Sequence, residues 1–525
     1  MAPVPDNCFV PRVPEEPTVH RPPTADAEIA EELAVVRPAL LPRYAAELPG
    51  ARAAVLTRLW RALAHEPLPW LTGRVSGADG LTLRLADGRT LHGPHADPYA
   101  TSAYVTAVRL DRERYDDPAR LMTALGVPHA SAFAVELAHS VASLALSRAG
   151  ADHPKEWPVE GGGRDWEWEQ RVVDGHPYHP NCRSRPGFSV ADQLAYGPEH
   201  GPVVELGTVP VPADGCLVSG DWPAELRDGD RLLVPVHPWQ AARVLGRPYD
   251  AWRPARPLMS LRTLAVPGGP HVKTALSARL TSSVRDISVY SVRAAAALSA
   301  FAEDLAARTD GLLHVTRTLG AVTAHSPDLA ALLRESPEVY TAPGERVLPV
   351  AALATTSLPG SPAWLAAFTR LTLTVGLRLL DLGVALEAHG QNLLVVLSAD
   401  GTPLRLVYRD LADIRISPAR LTRHGITPPA LTGRLVTDDD TALRRKLFGS
   451  LVAGALAGTA GSGPALDTAL RAALPDLPSG PDLAPLREGP LPAKALTLMR
   501  LSPDHAGDIW TALPHPRAVT PPDRG

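Results

Sequence analysis

The strongest constraint on the fold is a short stretch near residue 400, LLVVLSADGTPLRLVYRD, in which two aliphatic runs flank Asp400-Gly401. A DG dipeptide between such runs favours a tight turn, so the stretch reads as an antiparallel hairpin. Positions symmetric about a hairpin turn lie across from one another, with Cβ atoms roughly 4.5–5.5 Å apart. Asn392 precedes the turn by about as many residues as Asp410 follows it. An amide oxygen and a carboxylate at that separation could share one hard cation, with water and nucleotide phosphate completing its shell, as is usual for Mg²⁺. The simpler alternative has Asn392 capping the preceding segment and Asp410 pairing with Arg409 or Arg415 at the surface.

With 525 residues the chain exceeds one ordinary core, and two or three packed regions are expected at ~100–200 residues each. The pattern divides into a loosely held arm over 1–25, a mainly helical region over 26–156, a central region over 157–346 rich in polar motifs, and a C-terminal region over 347–525. Within the helical region GLTLRLADGRTLHG reads as a hairpin turning at Asp87-Gly88, and residues 130–148 as a long amphipathic helix. Further helices are expected over 292–307 and 364–382, strands in RLLVPVH and HVKTALSARLTSS, and a frayed tail from Pro514. The Pro/Gly/Trp-rich passage HPKEWPVEGGGRDWEWEQ is a candidate boundary.

Lys+Arg 52 against Asp+Glu 56 leaves a formal charge of -4, which gives no electrostatic reason to expect nucleic acid or an anionic membrane as partner. The N-terminus lacks the basic and apolar regions of a signal peptide, and no run approaches the ~18 apolar residues of a membrane helix. A cytoplasmic location is the expectation. Cys8, Cys182 and Cys216 show no CxxC spacing, so neither a disulfide framework nor a cysteine-held metal is suggested.

Only four of the 52 basic residues are lysine (Lys155, Lys273, Lys446, Lys494), and the other 48 are arginine. Lys273 draws notice because it opens KTALSARLTSSVRD, which also holds Arg279, Thr281, Ser282, Ser283 and Arg285. Strand alternation would set Lys273, Ser277, Arg279, Thr281 and Ser283 on one face, a set of cations and hydroxyls suited to a triphosphate; a solvated sheet face is the alternative. No Walker A pattern is present. Histidines stand out in GHPYHPNCRSRPG (His176, His179), VPVHPWQ (His237) and EAHGQN (His389). A neutral imidazole can polarise a carboxylate or move a proton near pH 7. His237 reads equally well as a buried structural ring beside Trp239, and prolines after His176 and His179 argue against a zinc pair.

Taken in order, GHPYHPNCRSRPGFS, VHPWQ, SLRT, KTALSARLTSSVR, EAHGQN and YRD resemble the IucA/IucC family of siderophore synthetases that work without a peptide synthetase template. The resemblance runs from Gly175 to Asp410. It implies an α+β fold of three lobes arranged like a hand (thumb, fingers and palm), with mixed and antiparallel sheets and a kinase-like palm. ATP would lie between the second and third lobes. Ser260, Arg262, Thr263, Lys273, Thr281, Ser282, Ser283 and Arg285 would hold phosphates or the acid, and His389, Gln391, Asn392 and Asp410 would face the nucleotide. Glu387, Asn392 and Asp410 would hold Mg²⁺, and His179, Lys273, Arg279, Arg285 and His389 would serve catalysis, His179 at the acyl site as a possible proton acceptor. Arg183 stands where the family usually has lysine, a change that could alter how the acid is oriented.

The implied activity is ATP-dependent ligation. A small polycarboxylic acid, citrate-like or succinyl-derived, is adenylated and joined to an amine or alcohol in siderophore or related biosynthesis, releasing AMP and pyrophosphate. Homodimers are common among relatives. Some relatives adjoin a ferric-reductase-like domain with cluster-binding cysteines, which this sequence lacks, so reduction is not expected. The competing readings are a kinase-like small-molecule phosphotransferase, which would release ADP, and a non-catalytic nucleotide or siderophore binder.

Overall fold

The computed structural model describes residues 24–151, 164–281 and 283–519. Ser282, the side chain of Ser283, most of the expected N-terminal arm and residues 152–163 of the expected boundary lie outside them.

Three cores organise the described chain. The first forms because two long helices, Leu41–His65 and Ala130–Gly150, carry apolar side chains on most of their turns and bury Leu59, Trp60, Leu63, Leu137 and Leu144 in one cluster. A five-stranded antiparallel sheet follows chain order from Leu71–Gly77 to Glu113–Tyr115. Its expected hairpin is present: Leu81, Leu83 and Leu85 alternate inward, Leu83 faces Leu91, and Gly88 supplies a positive φ of 90° at the turn. Of the other three strands, Leu71–Gly77 is mostly exposed and Val108–Leu110 and Glu113–Tyr115 have three residues each, so none showed a legible alternation and the expectation of an otherwise helical region is corrected.

The central core is a nine-stranded antiparallel sheet. The strands that matter for the site lie side by side in its middle: Thr263–Ala265, His271–Thr274 and Leu329–Arg334. The third core surrounds a four-stranded sheet in the order Leu313–Val315, Pro403–Tyr408, Leu393–Leu397, Arg346–Pro349, in which the first pair is parallel. Helices Val289–Ala306, Pro362–Leu382 and Asp440–Ser450 pack around it. Mixed helices and largely antiparallel sheets make the fold α+β, as expected.

Ala130–Gly150 and Pro362–Leu382 are long and apolar enough to cross a membrane, which the reading of the sequence overlooked. Of their most apolar windows 67% and 56% is buried inside the fold, so both serve as core helices here. The C-terminal segment returns to the beginning of the chain. Ala495, Leu498 and Leu501 join the first core, and the Glu66 carboxylate accepts from Thr497 N at 3.1 Å and Leu498 N at 2.7 Å. Of the tail expected to fray, residues 514–519 are held: Tyr99 Oη donates to Pro514 O at 2.6 Å and His515 is buried; residues 520–525 lie outside the described residues.

Candidate active site

The hairpin expected at Asp400-Gly401 forms, but its register changes the expected pair. Leu393 faces Tyr408, and Arg409 N donates to Asn392 O at 3.0 Å, so Asn392 lies across from Arg409 and not from Asp410. The ladder from Leu393 to Val396 is symmetric about Asp400-Gly401, which puts Arg409 opposite Asn392 and Asp410 one place beyond; the irregularity between Val396 and Leu397 touches only the pair next to the turn. Asp410 adopts a left-handed backbone, φ 72°, and its carboxylate turns to the central sheet, where it accepts from Lys273 Nζ at 2.7 Å and lies 4.0 Å from Arg334. The surface pairing with Arg409 or Arg415 is likewise replaced. Asp410 is a joint between the two sheets.

Lys273 sits between Thr263 and Leu332 on adjacent strands and is 6% exposed. Its burial pushes the ammonium down to about 7, an effect that Asp410 opposes and Arg262 and Arg334 reinforce. Burial works against the Asp410 charge as well, but Lys273 and Arg334 outweigh it and hold the carboxyl far below the usual range. Arg262, pushed by burial down to about 10, donates to Arg285 O at 2.8 Å and Asp286 O at 2.6 Å, and so carries the segment that presents Arg285. Ser260 Oγ accepts from Thr263 N at 3.2 Å.

The single strand expected from Lys273 to Ser283 is instead broken. His271–Thr274 belongs to the nine-stranded sheet, whereas Leu276–Leu280 and Ser283–Arg285 form a separate hairpin. Gln240 causes the break: its Oε1 accepts from Ser277 N at 2.8 Å and its Nε2 donates to Ser277 Oγ at 3.0 Å, replacing the sheet ladder. Leu276, Ala278 and Leu280 alternate onto Phe188 and Trp239, which stack at 4.7 Å. Arg279 is exposed on the other face, while Thr281 turns the hairpin at φ 58°. HPWQ is therefore a bracket. His237, fully buried, accepts from Trp239 N at 3.1 Å and caps the short helix, matching the structural alternative for that ring. Gln240→Ala is expected to destabilise the protein by ~1–3 kcal/mol through the unpaired Ser277 N–H, and a melting temperature equal to wild type would refute the bracket.

Leu261 in SLRT (φ 62°), Thr281 and Asp410 are three of the seven non-glycine residues with positive φ among the described residues. Such conformations are uncommon for Leu and Thr and collect where surrounding structure imposes them for function.

Across from this wall lie the histidines. His179 is buried; its Nδ1 accepts from Asn181 N at 3.0 Å, and burial pushes the ring down to about 3. A neutral ring that accepts at Nδ1 carries its proton on Nε2, and that N–H has no partner among the described residues. With Nδ1 occupied by Asn181 N, His179 presents an N–H donor at Nε2. Asn181 Oδ1 is also unpartnered, while its Nδ2 donates to Glu136 Oε2 at 2.6 Å, the carboxylate that Arg500 grips. His176 Nδ1 accepts from Tyr178 N and His179 N, both at 3.1 Å, and shapes the turn. His389 likewise accepts at Nδ1 from Gln391 N (3.2 Å) and lies 3.9 Å from Glu387. The Glu387 carboxylate accepts from Lys446 at 2.7 Å and Lys494 at 3.5 Å. Asn392 Nδ2 donates to Glu387 O at 3.4 Å, and the Gln391 carbonyl accepts from Arg409 Nε at 3.1 Å.

Arg183 points inward, to the Val172 and Val173 carbonyls and to Glu199 at 3.6 Å. Its side chain braces a buried charge cluster with Arg185 and Glu199. The reading of the sequence missed Arg334, Lys446, Lys494, Arg500 and Gln240. For two of these the rarity of lysine was an available signal.

Residues 165–355 match the IucA / IucC family model. That stretch is similar to the IucA/IucC family. Residues 362–462 match a second family model, described as ferric iron reductase FhuF-like transporter, over a range that contains no cysteine. Among solved structures the fold is similar to the petrobactin biosynthesis protein AsbB of Bacillus anthracis str. Sterne, with a TM-score of 0.73 and 18% identity over 91% of this chain and 97% of that one. It is also similar to ATP-bound aerobactin synthetase IucA from a hypervirulent pathotype of Klebsiella pneumoniae, with a TM-score of 0.69 and 20% identity over 89% and 99% of the two chains. A curated relative, the citryl-spermidine/3,4-dihydroxybenzoyl-citryl-spermidine:spermidine ligase of Bacillus anthracis, is 26% identical over 46% of this chain and 50% of its own length. D-ornithine–citrate ligase of Staphylococcus aureus is 22% identical over 54% and 55%. In sequence the chain spans about half the length of the curated relatives it matches.

Proposed function

We propose that this chain is an ATP-dependent ligase that activates a small polycarboxylic acid as its acyl-adenylate and transfers the acyl group to an amine or hydroxyl in siderophore biosynthesis. The observation that carries the reading is one wall on which Lys273, Arg262, Arg285 and Arg334 gather around Asp410, together with a buried, unpartnered donor at His179. The names of the family's relatives agree with it, and an ATP-bound relative shares the fold.

In this reading a carboxylate oxygen of the acid attacks the α-phosphorus of ATP and pyrophosphate leaves. The amine or hydroxyl then attacks the acyl carbon and AMP leaves. The cationic wall neutralises the triphosphate, and prearranged charges of this kind supply most of the stabilisation in such steps. His179 Nε2–H and Arg285 would orient the acid. His389 Nε2–H would donate to the nucleotide beside Gln391, with Ser260, Thr263 and Thr281 as further phosphate contacts and Arg279 at the open edge. Glu387, Asn392 and Asp410 form an all-oxygen donor set of the kind that suits Mg²⁺, and each carboxylate keeps one oxygen outside its lysine contact. These three would hold the ion, whose charge would help neutralise the phosphates.

The test is product identity with ATP, Mg²⁺, a panel of polycarboxylates and hydroxylamine as nucleophile. AMP and pyrophosphate with one acid are expected, and Arg285→Ala and His389→Ala should each lower the rate ~100-fold or more with unchanged melting. ADP would indicate phosphotransfer, and no product at all would indicate a binder; either sinks the ligase reading.

A further inference from the structure

Three of the four lysines lie within the described residues, and all three pair with carboxylates around the candidate site. Lys273 holds Asp410; Lys494 lies 3.5 Å from Glu387 and 3.1 Å from Asp508; Lys446 lies 2.7 Å from Glu387 and 2.6 Å from Asp413. Lys446 is 3% exposed, near the end of helix Asp440–Ser450. One turn later Ser450 Oγ accepts from Ala388 N at 2.9 Å and lies 3.2 Å from Leu386 O, while its proton has a closer acceptor in Lys446 O at 2.7 Å. A single helix end thus grips Glu387 by its carboxylate and by the backbone N–H that follows it. Beyond Ser450 the helix widens into a π-helical turn, Leu451–Leu456, a feature common at functional sites.

We propose that Lys446 is a positioning residue that locks Glu387 to Asp413, and with them the Glu387–Asn392 segment, and that the place requires a compact ammonium where a guanidinium fails. This rests on the ligase reading of the site. An ammonium directs three donors from one atom and so reaches two carboxylates from separate segments while Glu387 Oε1 is shared with Lys494. A guanidinium spreads its donors over a rigid planar fork, and the buried space here is flanked by a second cation. In a chain whose basic side chains are arginine in 48 of 52 cases, shape is the physical reason for a lysine at this point.

The experiment uses the full chain with Lys446→Arg, Lys446→Met and Lys446→Cys, the last before and after alkylation with 2-bromoethylamine, which rebuilds an ammonium on a side chain of similar length. Melting temperature, ATP affinity by titration calorimetry with Mg²⁺, and the KM for ATP and kcat are measured. Lys446→Arg is expected to melt near wild type yet lose ~10–100-fold in kcat/KM, as for other residues that orient a site from behind, with a matching loss of ATP affinity. Alkylation of Lys446→Cys should recover most of that loss, measured against alkylated wild type because Cys8, Cys182 and Cys216 also react. Asp413→Asn, which weakens one arm of the lock while keeping the lysine, should raise the KM for ATP in the same direction and serves if the lysine variants do not fold. Wild-type affinity and kcat/KM in Lys446→Arg, or an alkylated cysteine no better than the unmodified one, overturns the proposal. A wild type that forms no AMP overturns the ligase reading, and the ATP affinities still decide the role of Lys446.

Discussion

Lys273→Met is expected to reduce AMP and pyrophosphate formation by ~10³-fold or more while the protein remains folded. Two effects act together. The ammonium is lost from the middle of the cationic wall, and Asp410 loses the partner 2.7 Å away, keeping only Arg334 at 4.0 Å among its direct ion pairs. Its charge would then face an incoming triphosphate instead of being neutralised within the sheet joint. Lys273→Arg should restore little, because the side chain is enclosed between neighbouring strands and meets one carboxylate oxygen end-on. In Lys273→Met/Asp410→Asn the buried charge is gone, so melting should return toward wild type without recovery of activity. Pyrophosphate release and thermal melting measure both halves, and activity within tenfold of wild type in Lys273→Met would remove this residue from the site.

Arg409→Met is expected to destabilise the protein by ~3–5 kcal/mol, the largest stability effect of any single change considered. Arg409 and Glu169 are 5% and 1% exposed and pair across 240 residues of sequence, joining helix Asp165–Gln170 to the end of strand Pro403–Tyr408. Without the guanidinium, the Glu169 carboxylate keeps, among the described residues, the Met259 N–H at 3.1 Å, and the Gln391 carbonyl loses both of its Arg409 donors. A buried carboxylate left so is costly because desolvation is no longer offset by an opposite charge. Glu169→Gln placed on top of Arg409→Met should recover part of the loss. Denaturant unfolding measures both, and a change below ~1 kcal/mol in Arg409→Met would show that the pair is solvated after all.

The site was legible in the sequence to the extent that its signals are local. A DG turn between aliphatic runs specifies a hairpin wherever it occurs, and both hairpins formed. Leu276, Ala278 and Leu280 alternate as the pattern required. The ordered histidine and arginine motifs pointed to the IucA/IucC family, whose model matches residues 165–355. Short strands of the first region were not legible, since three residues carry too little periodicity to distinguish them from turns.

What only tertiary structure decided is which charge meets which. Asp410 appears in the sequence beside Arg409 and near Arg415, yet its partner is Lys273, 137 residues earlier, because a left-handed backbone turns the carboxylate across to another sheet. Gln240 in HPWQ carried no signal of its own, yet it ends a strand by taking the Ser277 N–H. His179 became a donor only when Asn181 N was found on its other nitrogen. The sequence by itself determined the hairpins and the inventory of polar groups, because turn preference and alternation act over a few residues; the α+β class came from the resemblance of its motifs to a family. The pairing of those groups was left to the three-dimensional fold, because an electrostatic contact depends on distance in space, and residues far apart in the chain carry no mark of how close packing will bring them.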